Sequence, residues 1–332
     1  KDCPLLTITA PNSPSDVKKR CIFITSRIHP GESNGSIVLH GLIDFLLSSQ
    51  PITAYLLGHF IFQIVPMINI DGVVEGYYRV GLEGDDLNRV WNNPDEIRHP
   101  VVYHTKNLMF QMNKEYGIAA YIDFHGHSRQ HGTFAYGCPW DPSENLPSSF
   151  IDKEKVFPKM LAFLCDAFAF DKCVFSIPPE RKDASRCVVR REMGVVNSFT
   201  IESSFGGICS GQRRNTLYVE ASWKEIGAKV GEALFHLLSG DSSPLAKLIE
   251  CSQTTAQSQA AVAASNAAAL RNFMQNQLEC NRTASSNDIE SIAKNSTINN
   301  EKSNIINNIK NINNIKTASK ETTDTKNSND KS

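Results

Sequence analysis

The chain has 332 residues, 41% of them apolar, with 34 basic side chains against 35 acidic ones. That balance excludes a global field able to hold nucleic acid or an anionic membrane surface, so recognition of any charged partner must be local. Nine scattered cysteines without a C-x-x-C pair argue against a disulfide framework, and neither a signal-like N-terminus nor an apolar stretch of membrane-spanning length occurs, so the expectation is a soluble cytoplasmic protein.

Residues Arg20 to Ile28 (RCIFITSRI) are β-branched and apolar, as a buried strand requires. The loop that follows, HPGESNGS, places His29 and Glu32 in an H-x-x-E pattern. An imidazole nitrogen and a carboxylate oxygen at that spacing can face one metal ion. Zinc accepts both donor types, and a catalytic zinc site takes three protein ligands, so a third must come from elsewhere. A surface His and Glu with no metal is the commoner source of such a pair, and only context decides.

Ile37 to Leu47 reads as a helix, closed by Pro51. His59 to Pro66 (HFIFQIVP) is a second buried strand leading into the loop NIDGVVEGYYRVGLEGDDLNRVW, Asn69 to Trp91. A helix over Val101 to Tyr116 and a strand over Ile118 to Phe124 follow, and the strand runs into DFHGHS. The pattern then predicts a short strand over 133–137, a helix from Pro158 to Phe168, a strand from Val195 to Ile201 and a helix from Val219 to Leu238. Strands alternating with helices predict an α/β fold: a mixed, mostly parallel sheet with helices on both faces. Ligands gather at the carboxyl ends of such strands, and His29, His125 and Glu202 all fall there.

The third metal donor should be a His, Cys or carboxylate at a strand end. His125 and His127 both qualify, and strand alternation alone does not separate them, because Gly126 puts the continuation of the strand in question. Glu202, in NSFTIESSFGG, would be partly desolvated, which raises a carboxyl pKa toward the range of a general base. Arg79 and Arg89 share a loop with Asp85, Asp86 and Asn88, and arginines near a metal suggest capture of an anionic group. A surface ion-pair cluster explains the same composition.

HPGE, the NIDG…DLNRVW loop, DFHGHS and FTIES occur in this order over Pro4 to Leu238, and together they resemble the M14 zinc metallocarboxypeptidases. The cytosolic carboxypeptidase subfamily is the most similar; its members remove glutamates from protein C-termini and from polyglutamate side chains, notably on tubulin. The resemblance implies one zinc ion held by His29, Glu32 and His125, with Asp86 orienting a ligand histidine from behind. It implies that Asn88 and Arg89 hold the substrate's terminal carboxylate, that Arg79 polarises the scissile carbonyl, and that Glu202 is the general base. Arg186 falls where the subfamily has a basic residue at the floor of the side-chain pocket, although Ala184 and Ser185 precede it in place of the usual glycine-containing stretch. No tyrosine lies between Ser176 and Glu202 to close over a substrate as in digestive members.

The implied activity is a zinc-dependent carboxypeptidase removing C-terminal acidic residues, glutamate above all, from acidic protein C-termini or tubulin-like polyglutamate side chains. Two alternatives remain: a zinc amidohydrolase for N-acyl amino acids, and a non-catalytic module docking on acidic tails through Arg79, Arg89, Arg129 and Arg186. The expected organisation is a catalytic domain over 1–240, with the subfamily's N-terminal β-rich domain absent or cut off, a weak helix or linker over 241–280, and a disordered Asn/Lys/Ser-rich tail over 281–332. Oligomeric state is not legible in the sequence.

Overall fold

In a computed structural model of the chain, residues 1–11, 17–139 and 153–239 are described. The linker and tail expected over 241–280 and 281–332 lie outside them.

Four strands run parallel in the order β3 (Phe60–Val65), β2 (Arg20–Ser26), β4 (Ile118–His127) and β6 (Ser198–Ser204). Two short strands close the edges in the opposite sense, β1 (Leu6–Ile8) on β3 and β5 (Thr133–Tyr136) on β6. The mixed, mostly parallel sheet expected from the alternation of elements is therefore present.

Its burial on both faces follows from the period-2 alternation of the strands. On β2, Ile22 and Ile24 enter one core with Leu39 and Leu42 of α1 (Ser33–Leu46), Leu56 of α2 (Pro51–His59), Phe157 and Leu161 of α5 (Val156–Leu164) and Val230 and Leu234 of α7 (Glu220–Leu238). Cys21 and Phe23 enter a second core with Met109 and Met112 of α4 (Pro100–Glu115) and Val188 and Val189 of α6 (Ser185–Met193). No single helix among the described residues is long and apolar enough to cross a membrane.

Several boundaries differ from the sequence pattern for local reasons. Pro51 opens α2 at its first turn, where its missing N–H is no loss. The 69–91 loop contains the short helix α3 (Ile70–Glu75), started by the Asn69 side chain accepting the Gly72 N–H at 3.0 Å and stopped by Gly76 at φ 79°. Strand β4 runs three residues beyond Phe124 and β6 is displaced toward the C-terminus, to Ser204. Helix α5 lies at Val156–Leu164, because the chain after it turns back so that Phe168 bridges Thr133. Helix α6 was not legible, since SRCVVRREM is rich in arginine, yet Arg186 and Arg190 are both buried.

Helices α1 and α7 approach backbone to backbone at two glycines. A Cβ on Gly227 would collide with the Val38 carbonyl oxygen, and one on Gly41 with that of Lys224. Because rigid backbone lies on the other side, Gly227→Ala is expected to cost about 3 kcal/mol, the upper end for overpacking. A urea unfolding midpoint unchanged from wild type would contradict this close packing.

Candidate active site

The loop after β2 is fixed before it reaches its chemistry. Arg27 takes a left-handed conformation, φ 56°, costly for a side chain with a Cβ. Its guanidinium offsets that cost by donating to the Pro30 carbonyl at 2.6 and 3.1 Å and to Ser36 Oγ at 2.9 Å. The Gly31 N–H donates to the Tyr78 carbonyl at 2.7 Å, and Asn69 Nδ2 to the Ile28 carbonyl at 3.2 Å. The 69–91 loop thus clamps the H-x-x-E loop from outside.

Glu32 is the N-cap of α1, but its side chain caps no helix N–H. It turns inward: Oε1 lies 2.8 Å from His29 Nδ1, and Oε2 lies 2.9 Å from His125 Nδ1 and accepts the Gly126 N–H at 2.9 Å. Gly126 has no room for a side chain, because a Cβ there would collide with Asn34 Oδ1. The donor atoms of His29, Glu32 and His125 all lie within 4.8 Å of one another, and all three residues are buried. His127 is turned away, its Nδ1 accepting the backbone N–H groups of Arg129 and Gln130 at 3.3 and 3.0 Å.

Each histidine is oriented from behind by a carboxylate. His29 Nε2 lies 3.1 Å from Asp86 Oδ1, and His125 Nε2 lies 2.7 Å from Asp123 Oδ2. A carboxylate taking the Nε2–H leaves Nδ1 as the lone-pair nitrogen, the tautomer a metal ligand needs. Two imidazole nitrogens and a carboxylate, buried and convergent, are the donor set zinc prefers. Burial opposes ionisation of Glu32, but His125 and His29 hold its carboxyl well below the usual range. Burial likewise works against Asp86, yet His29, Arg79 and Arg89 hold it low. Arg79 closes this side, its guanidinium 2.8 and 3.0 Å from Asp86 Oδ2.

Asp123 and Ser185 are the residues that sequence reasoning missed. Asp123 is wholly buried and accepts from Thr25 Oγ1 at 2.8 Å and Ser185 Oγ at 3.0 Å as well as facing His125. The D-x-H spacing on one strand was the available signal, since alternate residues share a face. Asp123→Asn is expected to weaken metal binding by about 10–100-fold, the usual effect of removing an outer partner of a ligand histidine. Titration against a competing chelator measures it.

Asn88 is buried, its Oδ1 accepting the Ser185 N–H at 2.9 Å. Its Nδ2 lies 3.5 Å from His125 Nε2, which has no lone pair to offer while its N–H faces Asp123, so the amide keeps donors for another acceptor. Arg89 donates to the Asn88 carbonyl at 2.7 Å.

Glu202 stands directly opposite His125 in the β4–β6 register and is 8% exposed. Its Oε2 is buried and has no hydrogen-bond partner among the described residues. Burial pushes its carboxyl up to about 7, reinforced by the Glu32 charge and opposed by His125, His29 and Arg186. A carboxyl at that value exchanges its proton near neutrality. Arg186, on α6, is 3% exposed; its Nε donates to the Gly137 carbonyl at 3.4 Å and its Cζ lies 5.4 Å from the centre of the Tyr136 ring. Contacts thus link His29, Glu32, His125, Asp86, Arg79 and Asn88 at the carboxyl ends of β2 and β4 and the loops beside them, with Arg89 bonded to the Asn88 carbonyl, Glu202 facing His125 across the β4–β6 pairing and Arg186 lying on α6 against Gly137 and Tyr136.

The zinc carboxypeptidase family model matches residues 1–162. Glu202 and Arg186 lie beyond that span. Cytosolic carboxypeptidase 2 of Macaca fascicularis is 38% identical over 250 residues, and cytosolic carboxypeptidase 1 of Danio rerio is 37% identical over 252. The alignments cover 74% and 71% of this chain but only 29% and 22% of those proteins, so the chain spans less than a third of their length. Among solved structures, a metallo-carboxypeptidase from Pseudomonas aeruginosa superposes with a TM-score of 0.62 at 25% identity, covering 72% of this chain and 61% of that one. One from Burkholderia cenocepacia gives 0.60 at 24%, with 71% and 60% covered. Sequence and fold give the same answer: the chain belongs to the M14 zinc carboxypeptidase family, within its cytosolic carboxypeptidase branch.

Proposed function

We propose that this chain is a zinc-dependent carboxypeptidase that removes acidic residues, glutamate above all, from protein C-termini or from polyglutamate side chains of the tubulin type. The observation that carries the acidic preference is Arg186. A guanidinium buried this deeply is costly without a counter-ion, and among the described residues no carboxylate pairs with it. A substrate side-chain carboxylate supplies that counter-ion; an apolar side chain does not.

His29, Glu32 and His125 would hold the zinc, and the metal, when bound, supplies Lewis acidity and lowers the pKa of water. Asn88 and Arg89 take the terminal carboxylate through the amide donors and guanidinium fork. Arg79 turns from Asp86 toward the scissile carbonyl and stabilises the charge that develops on its oxygen. Glu202 accepts a proton from the attacking water at Oε2 and delivers it to the leaving amine. In this reading residues 1–240 are the catalytic unit and the protein works in the cytoplasm, as the names of its relatives suggest.

The test is release of free amino acid from two peptides, one ending in several glutamates and one in leucine, with and without a zinc chelator. Chelator-sensitive release from the acidic peptide alone is the expected result. Release from leucine alone would retain the enzyme class and remove Arg186 as the selector. Release from neither, with cleavage of an N-acyl glutamate, would replace the peptidase by an amidohydrolase.

A further inference from the structure

Tyr136, at the end of β5, lies between two guanidinium groups. The Cζ of Arg186 is 5.4 Å from its ring centre and that of Arg181 is 5.5 Å away, both within cation–π range. Three separate elements meet here, because Arg181 ends the single 3-10 turn Pro179–Arg181 while Arg186 lies on α6. Burial raises the pKa of the Tyr136 phenol, and the nearby Arg181 charge opposes that rise. The convergence extends to Arg89: after burial and the opposing pull of Asp86, the charges of Arg79, Arg181 and Arg186 all weaken its hold on its proton.

No carboxylate among the described residues pairs with Arg181 or Arg186. Like charges gathered around one ring repel, and an anion that enters between them relieves that repulsion. Asn88 and Arg89 serve the terminal carboxylate in the function proposed above. The Tyr136 pair is therefore left for a second carboxylate on the same residue.

We infer that Arg181 is a second specificity-determining cation, gripping the side-chain carboxylate of the terminal substrate residue together with Arg186 while the Tyr136 ring holds the two guanidinium groups apart. Only the identification of that ligand as a C-terminal residue rests on the carboxypeptidase reading. Tyr136 is a positioning residue in this arrangement. The half-buried Arg181 head group lies on the surface of the turn, so its removal leaves both cores untouched.

The experiment is calorimetric binding of two peptides, identical except for a terminal Glu or its uncharged isostere Gln, to the full zinc-loaded chain carrying Glu202→Gln. The chain should prefer the Glu peptide. Arg181→Ala should reduce that preference by about ten-fold or more, the worth of one charge-assisted hydrogen bond. Arg181→Lys should restore most of it. Tyr136→Phe, which keeps the ring, should retain more of the preference than Tyr136→Leu. A merely structural role predicts that Arg181→Ala weakens both peptides equally; that result, or an unchanged preference, overturns the inference. Release of the terminal residue by the wild-type chain is measured separately. A chain that selects Glu through Arg181 yet releases nothing overturns the carboxypeptidase reading and upholds the binding pair.

Discussion

Replacing Glu202 by glutamine is expected to lower peptide hydrolysis by about 10²- to 10⁴-fold, the usual contribution of a positioned general base, and at the same time to stabilise the metal-free protein above neutral pH. Both effects come from one buried carboxyl oxygen that has no hydrogen-bond partner among the described residues. The folded-state pKa of Glu202 is pushed up to about 7 from an ordinary 4.5 by burial. A group raised in this way contributes its full stability below the unfolded value and loses it as pH rises through the folded one. At pH 8.5 the wild-type fold therefore carries an ionised, desolvated carboxylate that the unfolded chain would solvate freely. Glutamine reproduces the neutral form at every pH, so the gain should be absent near pH 4 and approach about 3 kcal/mol above pH 8. Urea unfolding of both chelated proteins across that range measures it. A midpoint difference that shrinks as pH rises would show that Glu202 is better solvated than the fold suggests. Near-normal turnover by the variant would remove it as the base.

The second large effect is expected at Glu32. Its two oxygens serve both histidines and the Gly126 N–H, so it is the hub of the donor set. Glu32→Gln keeps the shape and removes the charge. Zinc affinity should fall by more than about 100-fold, beyond the loss typical of an outer partner. His125 would also lose one of the anions that favour its charged form: burial works against that form, and Asp123 and Glu32 raise its pKa well above the ordinary value. The variant should bind zinc weakly at every pH, and its affinity should depend less steeply on pH than that of wild type, since a His125 with one anion fewer beside it holds less firmly the proton that must leave before it can ligate. Competition with a chelator at several pH values tests both statements. Zinc affinity equal to wild type would place the metal elsewhere.

The sequence carried the parts of the site whose chemistry is written in residue type and short spacing. H-x-x-E pointed to His29 and Glu32 as a candidate metal pair, and strand ends pointed to His125 and Glu202, because ligands gather there in a parallel sheet. It could not choose between His125 and His127. That choice depends on β4 continuing through Gly126, where it stays paired with β6 and its Gly126 N–H bonds Glu32, a contact from another element. Asp123 was passed over because a carboxylate inside an apolar strand looks like an exception until its three partners are seen together. Helix α6 was invisible for the opposite reason. Its arginines interrupt the apolar stripe by which a helix is read, and Arg186 and Arg190 are buried by tertiary packing that no local pattern records.

The glycine contact between α1 and α7 acquires a further meaning from the position of Glu32. That residue is the first link of α1, and α1 is held in place by Val38 and Gly41 lying against Gly227 and Lys224. Any change that pushes the two helices apart shifts the axis on which the carboxylate is mounted, while the two histidines stay on the loop after β2 and on β4. The tolerance of the candidate zinc site to mutation is thus expected to depend partly on a seam far along the chain. Variants in α7 that remain folded should form an inheritable gradient of metal retention, with no change to any ligand.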